Sequence, residues 1–412
     1  MFALTPPDTV SLSANAEFQN EAVAEMRTLV DIVRQAPAHI QFSGLLLTGS
    51  FARGEGAIAS TPFRHTRWLS DIECLAVLPD RRRADFARAR QFLADAVRLA
   101  NDESNRRARG IKIEITPIMA SRLGAMRPAI FTRELVDHGK LLWGEPAQVP
   151  MPPRASCDCL RIDALRLLNN RIIETLALRA GCSGDPDAQP SKSYLLSKFW
   201  VELGTSLSVF LGCYRSTYRG RQAALESALT GPPSDLDPDT VRLLSDRLKP
   251  ATEVKLGRFD LEGEIRDDYE TVARAAQHLW CWETGQLLGD GTQPTGDWPD
   301  TAQRLRRIEG IKARARDWAR LALRTGLLTN VHIQSFGDLL RAGSFANAIY
   351  TSGCLLFFYW NDIGLGTASG KAITRTVCRL FDVSTAAQPS TRRLLAVGTY
   401  RAWQSHLRSA AA

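Results

Sequence analysis

Three carboxylates carry the chemistry that this chain's sequence offers. Asp71 and Glu73 stand two apart in SDIECLAV, and Glu114 lies in IKIEITPI. Residues two apart on a strand face the same way, so Asp71 and Glu73 are expected to project side by side. IKIEITPI alternates, with Ile111, Ile113 and Ile115 to one face and Lys112, Glu114 and Thr116 to the other. If the two strands are neighbours, Glu114 joins the other two. Three carboxylates in one place repel each other unless cations share them. Hard divalent ions, Mg²⁺ above all or Mn²⁺, prefer oxygen ligands and keep positions open for substrate phosphates. Two such ions could activate an attacking hydroxyl and stabilise the pyrophosphate that leaves a nucleoside triphosphate.

A phosphate cradle is readable just upstream. In LLLTGSFARG an apolar strand breaks at Gly49-Ser50 and a short helical turn follows. Gly lets the backbone approach a phosphate closely, Ser50 can donate one more hydrogen bond, and Arg53 can add charge. Alone, a Gly-Ser after a strand is commonly only a turn, and D-x-E is commonly a solvated strand face. Their order along the chain carries the weight: strand, Gly-Ser, turn, strand with D-x-E, helix, strand with Glu.

The elements that must position these residues follow from periodicity. Phe18, Val23, Met26, Leu29, Val30 and Val33 recur at helical spacing over 17–36, and Pro37 stops that helix. GLLLTG and DIECLAVL read as buried strands, 81–100 as a basic amphipathic helix, and Pro117 edges the strand IKIEITPI. Beyond Pro150 helical periods dominate, interrupted by the connectors GCSGDPDAQPS and GDGTQPTGDWPD. The expectation is an α+β protein: a mixed sheet at the N-terminus followed by a large all-helical region. The divisions are placed at 1–150, 151–295 and 296–412.

The order hG[GS], [DE]h[DE]h and a third carboxylate on a later strand resembles the polymerase β-like nucleotidyltransferase superfamily. The resemblance covers roughly residues 40–120. It implies a mixed central sheet, divalent metal and transfer of a nucleoside monophosphate from an NTP, with ATP the first candidate. It further implies that Asp71, Glu73 and Glu114 hold metal, that Gly49 and Ser50 hold the triphosphate, and that Glu114 deprotonates the acceptor. Two features set this chain apart: Glu73 stands where Asp is commoner, and GAIASTPFRHTRWL lengthens the stretch between Ser50 and Asp71. That insertion reads as a hairpin or loop. Its Arg64, His65, Arg67 and Trp68 could form a lid over a nucleotide or simply a surface hairpin.

Further along, KSYLLSKF sets Lys192, Ser193, Tyr194, Ser197 and Lys198 within two turns of an expected helix. In related families such residues reach the triphosphate, and Lys192, Ser193 and Lys198 are the nucleotide-binding candidates; a solvated helix face is the plainer reading. GLGTASGK is not a P-loop: Leu365 occupies the first Gly position and Ala372 follows Lys371, so a flexible loop is expected. SFANAIYTSGCLLFFYW carries no charge but is short for a membrane span, and reads as a buried core helix.

Composition bounds the rest. Lys and Arg total 52 against 44 Asp and Glu, a net charge of +8 that favours acidic partners. Nucleic acid is admitted by that charge but not favoured, since no RNA-binding module is evident. Eight scattered Cys without CxxC pairs argue against structural zinc and for a reduced, cytoplasmic setting. No signal-peptide pattern and no membrane span are read. The rival to catalysis is a nucleotidyltransferase fold used as a nucleotide sensor or scaffold.

Overall fold

The computed structural model describes residues 16–60, 66–80, 83–106, 112–181, 192–231, 233, 235–257, 269–289, 297–323, 340–381 and 391–411. By its contacts the chain divides into two compact units. The first joins Met1–Leu160 with Leu211–Ser227 and Leu248–Ile265. The second joins Arg161–Phe210, Ala228–Arg247 and Arg266–Ala412. The architecture is α+β, with a small mixed sheet at the N-terminus followed by helices.

The first unit is built on four strands: β1 (Gly44–Thr48), β4 (Ile72–Leu78), β5 (Ile113–Met119) and β6 (Lys140–Gly144). Their order is β5-β4-β1-β6. β1 runs antiparallel to both β4 and β6, and β4 runs parallel to β5. Parallel strands need a crossover, which is supplied by α3 (Arg83–Arg106). Alternation along the strands sorts the side chains into two layers. Leu45 and Leu47 of β1, Ile72, Cys74 and Ala76 of β4, and Ile113 of β5 pack with α1 (Ala16–Arg34) and Leu93 of α3. Leu46, Leu75 and Val77 pack on the opposite face with Leu123 of α4 (Ala120–Gly124) and Leu135 of α5 (Ile130–His138). Phe18, Met26, Leu29, Val30 and Val33 are all buried, so the helix read over 17–36 covers the sheet with the face its sequence marks.

The insertion between Gly49-Ser50 and Asp71 contains a hairpin. β2 (Ile58–Ser60) pairs antiparallel with β3 (Thr66–Trp68). Two bonds between its arms close its base: Leu69 N–H donates to Ala57 C=O at 2.9 Å, and Ala57 N–H donates to buried Ser70 Oγ at 3.0 Å. Arg64 and His65, named above as lid residues, lie outside the described residues.

Residues 211–227 belong to the first unit because a buried ionic network holds them there. It joins Arg53, Glu55 and Glu134 to Tyr214, Tyr218 and Arg221. Glu134 accepts from Tyr214 Oη at 2.9 Å, from Arg221 Nη2 at 2.8 Å, and from Arg53 Nη1. Glu55 accepts from Arg53 Nε at 3.3 Å and from the Tyr218 backbone N–H at 2.9 Å, at the start of the helix Tyr218–Ala228. Buried ions persist only when paired and hydrogen-bonded, and here two arginines meet two glutamates.

The second unit is helical. Its segments include α6 (Arg161–Arg179), α7 (Lys192–Phe210), the helix Tyr269–Leu288, Trp298–Ile308, Ile311–Leu323 and Phe345–Phe358. Residues Phe345–Phe357 are all buried, as expected of a core helix. No helix among the described residues is long and apolar enough to cross a membrane. The stretch GLGTASGK is not a flexible loop. It is a tight corner between the helices Trp360–Leu365 and Ala368–Phe381. Gly366 takes the left-handed conformation at φ +66°, and the Gly370 N–H bonds Thr367 Oγ1 at 3.1 Å, capping the second helix. The turn residues that suggested flexibility are the residues that stop one helix and start the next.

Candidate active site

The carboxylates converge because sheet parity and register agree. Asp71 directly precedes β4, and Glu73 points to the face opposite Ile72 and Cys74. On β5, Glu114 likewise lies opposite in sense to Ile113. The parallel register pairs Glu73 with Glu114 and Ile72 with Ile113, so Asp71 stands beside Lys112 one step earlier. Neighbouring strands are about 4.8 Å apart, so these four side chains form one polar patch on one face.

Lys112 is the residue that the sequence reading missed. Its ammonium donates to Asp71 Oδ2 at 3.1 Å and to Glu114 Oε1. Burial works to lower its pKa, but the hydrogen bond to Glu114 and the charge of Asp71 outweigh it and raise it. The ammonium therefore occupies the place between two carboxylates where a cation is wanted. The signal was present in IKIEITPI, where Lys112 shares the polar face with Glu114; only the strand register shows that it also faces Asp71.

Glu73 lies deeper than its partners. Its pKa is raised by burial first, then by the charges of Glu114 and Asp71, with Arg53 acting in the opposite direction. Thr48 faces Glu73 across the β1–β4 ladder, and its hydroxyl donates to the Glu73 carbonyl at 3.1 Å. Gly49 follows at φ +66°. A Cβ built there would run into Glu73 Oε2, so only glycine allows the carboxylate to lie against this backbone. Glu55 N–H closes the turn on Ser50 C=O at 2.8 Å. Gly49 thus lies against the Glu73 carboxylate, with Ser50 next to it in the turn.

Arg53 is placed differently from what its sequence position suggested. Its side chain is only 5% exposed and is engaged by Glu55 and Glu134. Its guanidinium carbon sits 4.9 Å from the Tyr218 ring centroid. Burial alone would lower its pKa, yet Glu134, Tyr218 and Glu55 raise it, so its charge is committed within the fold. Its part is to fix the corner behind Gly49-Ser50, with Glu55 as its neighbour in the turn. Lys192, Ser193 and Lys198 lie on α7, in the second unit. Lys192 is exposed, with its ammonium 4.5 Å from the Tyr269 ring centroid, and the Ser193 carbonyl accepts from Ser197 Oγ at 2.7 Å. Tyr194 and Ser197 are buried.

As side chains stand, no group of three or more His, Cys, Asp or Glu among the described residues is gathered so that it could hold a metal ion. The donor set nonetheless suits a hard cation. Three carboxylates on one face, Asp71, Glu73 and Glu114, face one ammonium, and Glu73 is destabilised in its charged form by the other two. Asp71 and Glu114 are turned toward Lys112, and both are exposed enough to change rotamer at small cost. No protein-family model, curated protein or solved structure matches this chain.

Proposed function

We propose that this protein is a divalent-metal-dependent nucleotidyltransferase that moves a nucleoside monophosphate from an NTP to a hydroxyl acceptor. The observation that carries this reading is the patch in which Glu73 pairs with Glu114, beside Asp71 and against the left-handed Gly49. Asp71, Glu73 and Glu114 would hold Mg²⁺ or Mn²⁺. The bound ion would supply Lewis acidity that polarises the phosphoryl oxygens and offsets charge on the leaving pyrophosphate.

The chain's own groups divide the remaining work. Gly49 and Ser50 form the corner where phosphate oxygens can approach backbone without a side chain in the way. In the transfer, the acceptor oxygen bonds to the α-phosphorus as the bond to the pyrophosphate oxygen breaks. The acceptor's proton goes to Glu114, the more exposed of the paired glutamates. Lys112, displaced from between Asp71 and Glu114, remains beside the patch as a cation for the departing charge.

The test is pyrophosphate release from each labelled NTP with Mg²⁺ or Mn²⁺, alone and with cell extract, beside the Asp71→Ala/Glu73→Ala variant. Metal-dependent release that the variant lacks supports the reading. Absence of both release and calorimetric NTP binding overturns it. The salt bridges of Lys112 favour a second reading, a nucleotide sensor or scaffold in which the ammonium stands permanently in the cation's place. Under that reading NTP binds without divalent metal and no pyrophosphate appears.

A further inference from the structure

A second charged feature lies in the helical unit, apart from the carboxylate patch in sequence and in chemistry. The end of α11 (Trp298–Ile308), the start of α12 (Ile311–Leu323) and the segment around Arg341 line a cleft of about 740 Å³. Its walls carry Arg306, Arg307, Arg314 and Arg341. Glu309 is the only acidic residue among the described lining residues. Arg306 and Arg307 suit the last turn of a helix, where cations oppose the dipole. That accounts for two of the four. Arg314 and Arg341 come from other elements, and no helix-end argument brings them to the same place.

The arginine stems are packed into position. Gly343 adopts φ +82°, and a Cβ there would lie 2.8 Å from Arg306 Cγ and 2.9 Å from Arg314 Cδ. The glycine lets two like-charged side chains lie together along the backbone. Arg306 Nη1 donates to the Leu340 carbonyl at 3.3 Å, and the charge of Arg314 favours the ionised form of Glu309. Asp317 accepts the Phe345 and Ala346 N–H groups at 2.7 and 3.2 Å, and Glu309 accepts from Asn347 Nδ2 at 2.8 Å. Arg314 Nε is buried and has no hydrogen-bond partner. Gly310 opens α12 into the same cleft, and that helix has no acidic residue in its first turn. Arginines gathered from three elements, beside backbone N–H groups at a helix start, are a donor set for phosphate oxygens.

We propose that this cleft binds a compact polyphosphorylated small molecule, with Arg306, Arg307, Arg314 and Arg341 as its phosphate ligands. The volume sets the size, since pockets of about 300–1,000 Å³ hold one small ligand rather than a length of polymer. The proposal is independent of the carboxylate site, which lies in the other unit.

The experiment is calorimetric titration of the full chain with inorganic tripolyphosphate in EDTA at low salt, repeated with Arg307→Gln/Arg341→Gln and with Asp71→Ala/Glu73→Ala. Arg307 and Arg341 are exposed, so their replacement spares the core. Saturable binding is expected, weakened about tenfold or more in the arginine variant and kept in the aspartate–glutamate variant. No saturable binding, or equal affinity in wild type and arginine variant, overturns the proposal. So does the third arm, in which a single-stranded RNA 12-mer binds through these arginines and tripolyphosphate does not.

Discussion

Replacing Lys112 by Met separates a cation site from a permanently satisfied patch. The ammonium bonds Asp71 at 3.1 Å and also Glu114. The side chains of Lys112, Asp71 and Glu114 are 58%, 37% and 49% exposed, so solvent screens both pairs. Such pairs are worth roughly 0.2–1 kcal/mol each, or about 0.4–2 kcal/mol together. A divalent ion entering between Asp71 and Glu114 must displace the ammonium and forgo that energy. Lys112→Met removes the competitor, so Mn²⁺ affinity is expected to rise roughly 2- to 30-fold, since about 1.4 kcal/mol is tenfold. The assay is calorimetric titration of Mn²⁺ into both proteins at pH 7.5, with a denaturation curve to show that stability changes by less than about 2 kcal/mol. Mn²⁺ affinity that is unchanged or weaker in Lys112→Met refutes the competition argument. Absence of Mn²⁺ binding in both proteins refutes the cation site itself.

Gly49→Ala places a side chain at φ +66°, costing about 1–2 kcal/mol of stability, and pushes Glu73 Oε2 aside. Calorimetric melting should show a folded but weakened protein, and pyrophosphate release should fall; full turnover would refute the role of this corner. Glu134→Gln should destabilise by about 3–5 kcal/mol, because Arg53 and Arg221, each 5% exposed, lose a shared carboxylate. Chemical denaturation measures this, and a loss under 1 kcal/mol would count against the network. Glu283, fully buried, is pushed up to about 8 by burial, with Ser206 pulling the other way. A raised carboxyl favours its neutral form in the fold, so its contribution is fully present below about pH 4.5 and is lost as pH rises toward 8. Glu283→Gln should therefore add up to ~3 kcal/mol at pH 7 and flatten the stability profile between pH 5 and 8. Denaturation at pH 5 and pH 7 checks it, and an unchanged slope would refute it.

What could be read in advance was whatever depends on parity. The alternation of SDIECLAV and IKIEITPI already assigns Asp71, Glu73 and Glu114 to polar positions, and the burial of Ile72, Cys74 and Ile113 on the opposite face agrees. The Gly-Ser break was legible because a φ of +66° at Gly49 needs glycine. What depends on register or on distant chain was not legible. Lys112 meets Asp71 only because β4 and β5 pair in parallel at Ile72↔Ile113, which one strand's sequence does not encode. Arg53 looked like a phosphate ligand because its partners, Glu134 and Tyr218, lie far along the chain. For the same reason residues 211–227 read as helical region, although their buried contacts join the sheet unit.

The two charge systems of the first unit show why the carboxylate patch is the place to expect a ligand. In the buried network Arg53 and Arg221 meet Glu55 and Glu134, two positive charges against two negative, as a low-dielectric interior requires. In the patch Asp71, Glu73 and Glu114 meet Lys112, and two negative charges are left over. Were the patch merely a solvated strand face, Glu73 would have no reason to lie half-buried against a glycine that admits no side chain. Its pKa is raised by that burial and by its two acidic neighbours, so the fold maintains a repulsion that Arg53 offsets only in part. One divalent cation carries the charge that would relieve it.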